Sequence, residues 1–333
     1  MNQKVALVTG GFGFIGSHLV DLLILNDWKV RVIDNFVGGR RENLSQHMNN
    51  EHVDVLDADI CQIEPESLFF KGVDVIFHLA GIGDIVPSIE KPLDYMRTNV
   101  AGTVNILEAS RLNSIKRFVY AASSSCYGIA KTPTDEEHLV NPKYPYALSK
   151  YLGEVSAFHW QDVYGLEVNS ICIFNAYGPR SKTTGAYGAV LGVFLKQRLE
   201  KAPLTIVGDG SQSRDFVHAT DVARAFYLAG TGPVYGHRFN IGGGNPIAVL
   251  TLAKLIGENF IFLPKRPGEP EITFANIEKA KSLLGWSPKK DFFEGVDELL
   301  ANIKDWKDAP LWNEYTISRA TEKWFQYLGK NEI

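Results

Sequence analysis

Tyr146 and Lys150 stand four residues apart in the run Tyr146-Ala147-Leu148-Ser149-Lys150. On a helix that spacing places both side chains on one face. A free phenol titrates near ~10 and is a poor base at neutral pH. An ammonium beside it favours the phenolate and makes it a usable acceptor for an alcohol proton. Such pairs are common on solvated helix faces, so the surroundings decide their meaning. Here the pair opens a helix that follows a strand ending in Ala122-Ser123-Ser124-Ser125, where a hydroxyl can reach a carbonyl or alcohol oxygen.

A second constellation lies at the start of the chain. Val5–Val8 runs into Thr9-Gly10-Gly11-Phe12-Gly13-Phe14-Ile15-Gly16, with glycines at 10, 13 and 16 and a helix after them. Glycines there allow a tight turn and close approach of a pyrophosphate to the backbone, and the helix N-terminus supplies N–H donors. The strand before and the helix after give the context that a glycine pattern needs. Asp34 ends the next strand, where a carboxylate accepts hydrogen bonds from an adenosine ribose and repels a 2′-phosphate. The expected cofactor is therefore NAD rather than NADP, although Arg40 and Arg41 follow closely. A positive nicotinamide ring would add to Lys150 in favouring the Tyr146 phenolate.

These sites must be carried by a sheet with helices. Short apolar runs predict strands at Lys4–Val8, Lys29–Asp34, Val53–Ala58, Val73–Leu79, Arg117–Ala121 and Glu167–Ile173. Amphipathic stretches predict helices at Ile15–Asn26, near Glu66–Phe70, at Tyr95–Arg111 and at Tyr144–Tyr164. The alternation implies an α/β fold with a Rossmann-type, doubly wound parallel sheet. Beyond about Gly178, Gly- and Pro-rich mixed elements imply a smaller mixed α/β C-terminal substrate domain. The expected division is an NAD-binding domain over residues 1–178 and an interleaved substrate domain over 179–333. Arg214–Val222 and Arg238–Ile241 are expected to return to the main sheet, within a returning stretch at 214–243.

The 333 residues are 45% hydrophobic, enough for a substantial core, and a net charge of −4 argues against a nucleic-acid surface. Cys61, Cys126 and Cys172 lack metal spacing and read as reduced thiols, and the eight histidines show no metal pattern either, so no metal is expected. No apolar run approaches the ~18 residues of a membrane span, and the first strand starts almost at Met1. A cytoplasmic protein that does not engage membranes is expected.

Together these features resemble the extended short-chain dehydrogenase/reductase family. The resemblance includes the glycine pattern, Asp34, His78-Leu79-Ala80-Gly81, Asn99, Ser123-Ser124-Ser125 and Tyr146 with Lys150. It continues through Phe174-Asn175-Ala176-Tyr177-Gly178-Pro179-Arg180, Gly208-Asp209-Gly210, Arg214-Asp215-Phe216 and Leu284-Gly285-Trp286-Ser287-Pro288. The set is similar to nucleotide-sugar epimerases and dehydratases, UDP-hexose 4-epimerases above all. The resemblance implies Tyr146 as base, Lys150 as holder of the nicotinamide ribose and Ser123 as the completing hydroxyl. It implies a cofactor site of Gly10, Phe12, Gly13, Phe14, Ile15, Gly16, Asp34, Asn35, Phe36, Gly38, Asp59, Ile60, Leu79, Ala80, Gly81, Asn99, Ala121, Ala122 and Phe174. Asp59 and Ile60 would face adenine, and Asn99 would distort its helix and hold water. The substrate, a nucleoside-diphosphate sugar with UDP foremost, would meet Asp84, Ser123, Ser124, Ser125, Asn175, Arg180, Ala189, Val190, Arg214, Arg266 and Glu269. Relatives form homodimers through two helices per subunit, here Tyr95–Arg111 and Tyr144–Tyr164.

Within that group, dehydratases and decarboxylases carry carboxyl groups just after the first hydroxyl residue, and here those positions are Ser124 and Ser125. Oxidation, rotation of the ketosugar and return of hydride to its other face remain, which is 4-epimerisation. The run Ala121-Ala122-Ser123-Ser124-Ser125-Cys126-Tyr127-Gly128, with Gly185-Ala186-Tyr187-Gly188-Ala189-Val190, most resembles UDP-hexose 4-epimerases acting on N-acetylated or uronic sugars. A dehydratase, a decarboxylase, an epimerase at another carbon or a net 4-oxidoreductase is the alternative, kept open by Asp84. A non-catalytic NAD sensor is a further one. Departures from the family pattern at Gly81, Ile82–Val86, Cys172 and His218 are expected around the sugar. Asn175 and Tyr177 could instead shape a turn, and Arg214–Asp215 could be a structural ion pair. Trp306, Trp312, Trp324 and Phe325 read as packing residues.

Overall fold

The structure, a computed structural model, describes residues 3–181 and 189–329. Gly185–Gly188 of the expected sugar-facing run lie outside the described residues.

In chain order, β1 (Val5–Thr9) leads into α1 (Phe14–Leu25), and β2 (Lys29–Asp34) and β3 (Val53–Asp57) follow. β4 (Val75–His78) precedes α2 (Ile85–Glu90), α3 (Pro92–Tyr95), a π-helical turn at Met96–Gly102 and α4 (Thr103–Leu112). Then come β5 (Arg117–Ser123), α5 (Pro145–Tyr164), β6 (Glu167–Ile173) and β7 (Asn175–Tyr177). The remaining elements are α6 (Val190–Leu199), β8 (Leu204–Val207), β9 (Ser213–Arg214), β10 (Phe216–His218), α7 (Ala219–Thr231) and β11 (His237–Ile241). They continue with β12 (Ile247–Ala248), α8 (Val249–Ile256), β13 (Phe260–Leu263), α9 (Glu278–Leu284), α10 (Phe292–Ala301) and α11 (Glu314–Leu328).

Seven strands form one parallel sheet in the order β11-β6-β5-β4-β1-β2-β3. Its central strands are buried on both faces, which is why they are apolar throughout rather than alternating. A second apolar cluster, with Leu191, Phe194, Ile206, Leu252 and Trp306, lies between α6, α8 and the β8–β13 pair.

The stretch expected as a helix at Tyr95–Arg111 is α3, a π turn and α4, with the distortion at Asn99 that the family resemblance implied. The wider turn is centred on Asn99, whose side chain is engaged with the loop after β4. Arg214–Val222 does not join the main sheet. There, β9 pairs with β12 and β10 with β7, while α7 packs on α1 beneath the sheet. Only β11 enters the seven-stranded sheet, beside β6.

The helix carrying Tyr146 is well defined at both ends. Pro145 occupies the first turn, where no intrahelical N–H is needed, and Gly165 closes the helix with a φ of 71°.

Candidate active site

β1 and β4 lie side by side although β2 and β3 continue to one side and β5 to the other. The crevice beyond the carboxyl ends of the strands at this reversal is where open α/β sheets bind ligands. A cleft of about 1030 Å³ opens there and extends to the second apolar cluster.

The glycine turn forms one end. A Cβ on residue 10 would lie 2.8 Å from the Ala80 nitrogen, and one on residue 16 would lie 2.2 Å from the Gly10 carbonyl oxygen. The turn therefore closes against the loop after β4 only because these positions carry no side chain. Gly10, Gly13, Phe14, Ile15, Gly16, Asn35, Gly38, Asp59, Ile60, Leu79, Ala80, Gly81, Ala121, Ala122 and Phe174 line the cleft. Asp34 lines it too, buried, its carboxylate accepting the Phe12 and Phe36 N–H groups at 2.9 Å each. Burial pushes the Asp34 carboxyl up, against the two backbone hydrogen bonds. Gly39 leaves room for it, since a Cβ there would be 2.7 Å from Oδ1. Arg41 turns aside to Asp57 at 3.1 Å and lies 3.8 Å over the Phe36 ring. Phe12 and Phe36 themselves pack on each other, 4.9 Å between centroids, behind the wall rather than on it.

The middle of the cleft holds the tyrosine–lysine pair. Tyr146 starts α5, Ser123 ends β5, and the two hydroxyls are within hydrogen-bonding reach. Burial pushes the Tyr146 phenol well above its ordinary value, so the protein alone does not produce the phenolate expected from the sequence. Lys150 is buried, and desolvation pushes its ammonium down to about 8. Its Nζ lies 4.6 Å from the centre of the Tyr120 ring, and the Tyr120 hydroxyl donates to the Lys150 carbonyl at 3.1 Å.

Behind this pair runs a buried hydrogen-bond chain. Thr103 Oγ1 donates to the Asn99 carbonyl at 2.7 Å, so it accepts from His78 Nε2 at 3.0 Å. Nδ1 of His78 then accepts from Thr9 Oγ1 at 2.8 Å. This fixes the neutral imidazole, and burial holds its pKa down to about 3. Asn99 is fully buried and does not line the cleft. Its Oδ1 accepts the Ile82 N–H at 2.8 Å, and its Nδ2 donates to the Ile82 carbonyl at 3.0 Å and to Ser149 Oγ at 2.9 Å. Both amide hydrogens are spent on protein, so Asn99 shapes the loop and holds no water with them. Gly81 permits this, because a Cβ there would be 2.8 Å from Asn99 Oδ1.

The far end is charged. Glu269 bridges Arg266 at 2.9 Å and Arg214 at 3.7 Å, and Asn175 Oδ1 accepts from Thr273 at 2.8 Å. Ser124, Ser125, Asp84, Arg180, Ala189 and Val190 also border the cleft. Arg180 is committed to Asp21 at 2.7 Å. Asp215 does not pair with Arg214; it accepts the Ala275 and Gly244 N–H groups at 2.9 Å each. Of the unusual residues expected around the sugar, Asp84 borders the cleft but Cys172 and His218 do not. Cys172 is buried in β6 opposite Asn240, and His218 caps α7. Trp306 and Trp324 are buried, Trp312 packs against the cluster that holds Trp306, and all three reach the cleft wall, whereas Phe325 is exposed.

Two groups were not singled out in the sequence. Tyr144 lines the cleft two residues before Tyr146, a position that alternation along the chain gave no reason to mark. Glu154 is buried on α5, and its carboxylate accepts from Nε and Nη2 of Arg238 in β11 and from Ser170 Oγ in β6. A glutamate one turn past Lys150 was the only available signal.

The sequence profile of the NAD dependent epimerase/dehydratase family matches residues 6–242. The chain belongs to that family. The glycine cradle, Asp34 and the Tyr146–Lys150 pair fit the NAD on which the family depends. The chain is 36% identical over 300 residues to the UDP-glucose 4-epimerase of Mycolicibacterium smegmatis, covering 87% of this chain and 95% of that one. It is 35% identical over 311 residues to UDP-glucuronic acid decarboxylase 2 of Arabidopsis thaliana, covering 90% and 68%. Among solved structures, the UDP-glucuronic acid 4-epimerase of Bacillus cereus, in complex with UDP-glucuronic acid and NAD, superposes with a TM-score of 0.84. That match has 31% identity and covers 91% of this chain and 99% of that one. The relatives it resembles thus carry the names of different activities, an epimerase and a decarboxylase among them. Among the described residues no group of His, Cys, Asp and Glu is arranged to hold a metal, and no helix is long and apolar enough to cross a membrane.

Proposed function

We propose that this NAD-dependent enzyme inverts C4 of a UDP-hexose through a transient 4-ketosugar. The observation that carries the reading is the pairing of Tyr146 and Ser123 in a cleft where Ser124 and Ser125 supply no carboxyl group. Bound NAD supplies the acceptor for the hydride leaving C4 and returns it later. Tyr146 Oη takes the C4 hydroxyl proton while Ser123 Oγ holds the same oxygen. Lys150 would hold the nicotinamide ribose through its ammonium and lower the cost of the phenolate. Without an acid–base carboxyl beside Ser123, the ketosugar is not driven to eliminate water. The ketosugar would turn within the cleft and, as NAD supplied hydride to its other face, recover its proton from Tyr146 Oη. Arg214, Arg266 and Asn175 hold the diphosphate, which suits the planar donor fork of arginine.

The test is incubation with UDP-hexoses and NMR of the product: C4-inverted sugar is expected without net reduced cofactor. Persistent 4-ketosugar or CO2 release would instead assign the dehydratase or decarboxylase chemistry, the reading that Asp84 on the cleft wall favours.

The enzyme is further proposed to be a homodimer through α4 and α5. This is supported by the exposed apolar side chains Leu148, Leu152, Val155 and Val163 on α5 and Leu112 on α4. The three free cysteines accord with a cytoplasmic setting.

A further inference from the structure

Two serine–tyrosine pairs connect the turn after β5 to the start of α5. Ser123 lies within reach of Tyr146, and Ser125 lies within reach of Tyr144, with the same two-residue offset in each segment. The first pair belongs to the proton transfer described above. The second has no role in it, although Tyr144 lines the same cleft.

The position of Tyr144 is informative. Tyr144 acts on the Tyr146 phenol, and the charges of Glu269 and Arg214 act on the Tyr144 phenol. Tyr144 thus lies in the same cleft within electrostatic reach of both the base and an arginine suited to a diphosphate. Its ring is fixed from behind by Trp324, 5.4 Å between centroids. Trp324 is anchored in turn, since its Nε1 donates to the Pro267 carbonyl at 2.8 Å, in the loop that carries Arg266 and Glu269. A phenol held in this way loses little rotamer freedom when it binds a ligand. Burial raises its pKa to about 12, so it remains a hydrogen-bond donor throughout the working range.

We propose that Tyr144, with Ser125, is a substrate-binding pair that grips the junction between sugar and diphosphate while Tyr146 exchanges the proton. The proposal rests on the epimerase reading for its consequence. A ketosugar must turn over inside the cleft without leaving, and the arginines alone hold only the phosphates. A donor at the junction keeps the rotating sugar tethered close to its pivot.

Tyr144→Phe removes the donor and keeps the ring against Trp324; Ser125→Ala removes the partner hydroxyl. Calorimetry with a UDP-hexose should give about tenfold weaker binding for Tyr144→Phe and a smaller loss for Ser125→Ala, as expected for one neutral hydrogen bond. During turnover the Tyr144→Phe enzyme should release free 4-ketosugar and accumulate reduced cofactor, read by its near-ultraviolet absorbance, with NAD content as in the parent. Unchanged affinity with no such accumulation overturns the proposal. So does loss of the first oxidation in a single turnover, which would place Tyr144 in the proton-transfer machinery instead. If the parent enzyme itself yields no C4 epimer, the epimerase reading fails, and the binding measurement still decides the role of Tyr144.

Discussion

Lys150 holds its ammonium 4.6 Å from the centre of the Tyr120 ring, and the Tyr120 hydroxyl donates to the Lys150 carbonyl oxygen at 3.1 Å. One residue of the sheet thus fixes both the backbone and the charged end of the lysine. Among the described residues Lys150 makes no ion pair, and the ring face offers electrostatic support to a desolvated cation. The other ionisable groups acting on it are Cys126 and Glu154, and it in turn acts on the His78 imidazole.

Burial lowers the Lys150 pKa to about 8, so the ammonium is present below that value and lost as pH rises through it. Activity should fall along the same alkaline limb. Replacing Tyr120 with Leu removes a contact worth about 1–2 kcal/mol and should move the limb down by roughly one pH unit. Tyr120→Phe keeps the ring and should leave the limb in place. Matching pH profiles for Tyr120→Leu and the parent would dismiss the support role.

Tyr146→Phe should lower turnover by a factor on the order of 10³ while NAD stays bound. NMR of the product and native mass spectrometry of the protein measure the two halves separately. Turnover close to that of the parent enzyme would mean that another group is the base.

Gly16→Ala places a Cβ 2.2 Å from the Gly10 carbonyl oxygen. The neighbour is backbone, so the turn must open, at a cost of about 1–3 kcal/mol in stability and with loss of retained NAD. Urea unfolding and cofactor content after purification report both effects. Full retention of NAD would show that the turn yields without consequence.

Glu154→Ala strands the Arg238 guanidinium in the core behind α5 and deprives Ser170 of its acceptor. Breaking a buried pair from one side should destabilise the protein by about 3–5 kcal/mol. Denaturant midpoints measure this, and a change below about 1 kcal/mol would place the pair among weak surface contacts.

Much of the site could be read from the chain because its demands are local. The Gly10–Gly16 turn, Asp34 at a strand end and the four-residue spacing of Tyr146 and Lys150 each follow from backbone geometry within one element. The apolar runs located every strand of the parallel sheet in the first half, because strands buried on both faces carry no polar alternation to confuse them. The distortion at Asn99 was legible only through the family resemblance, and its partner was not: Asn99 Oδ1 accepts the Ile82 N–H, seventeen residues earlier in the chain and adjacent only after β4 and α4 pack. Cys172 and His218 were expected at the sugar for their rarity, yet both face inward, since neighbouring strands and α7 take up their surroundings.

The sequence by itself determined the fold class, the glycine turn and the one-face spacing of Tyr146 and Lys150, because each is encoded in short-range spacing. Tertiary structure decided what those residues experience. It set Lys150 over Tyr120, buried the Tyr146 phenol so that it stays protonated without help, and brought Tyr144 within reach of both Tyr146 and the charges of Arg214 and Glu269. Desolvation and long-range charge depend on what the rest of the chain places nearby, and no local pattern of residues records that.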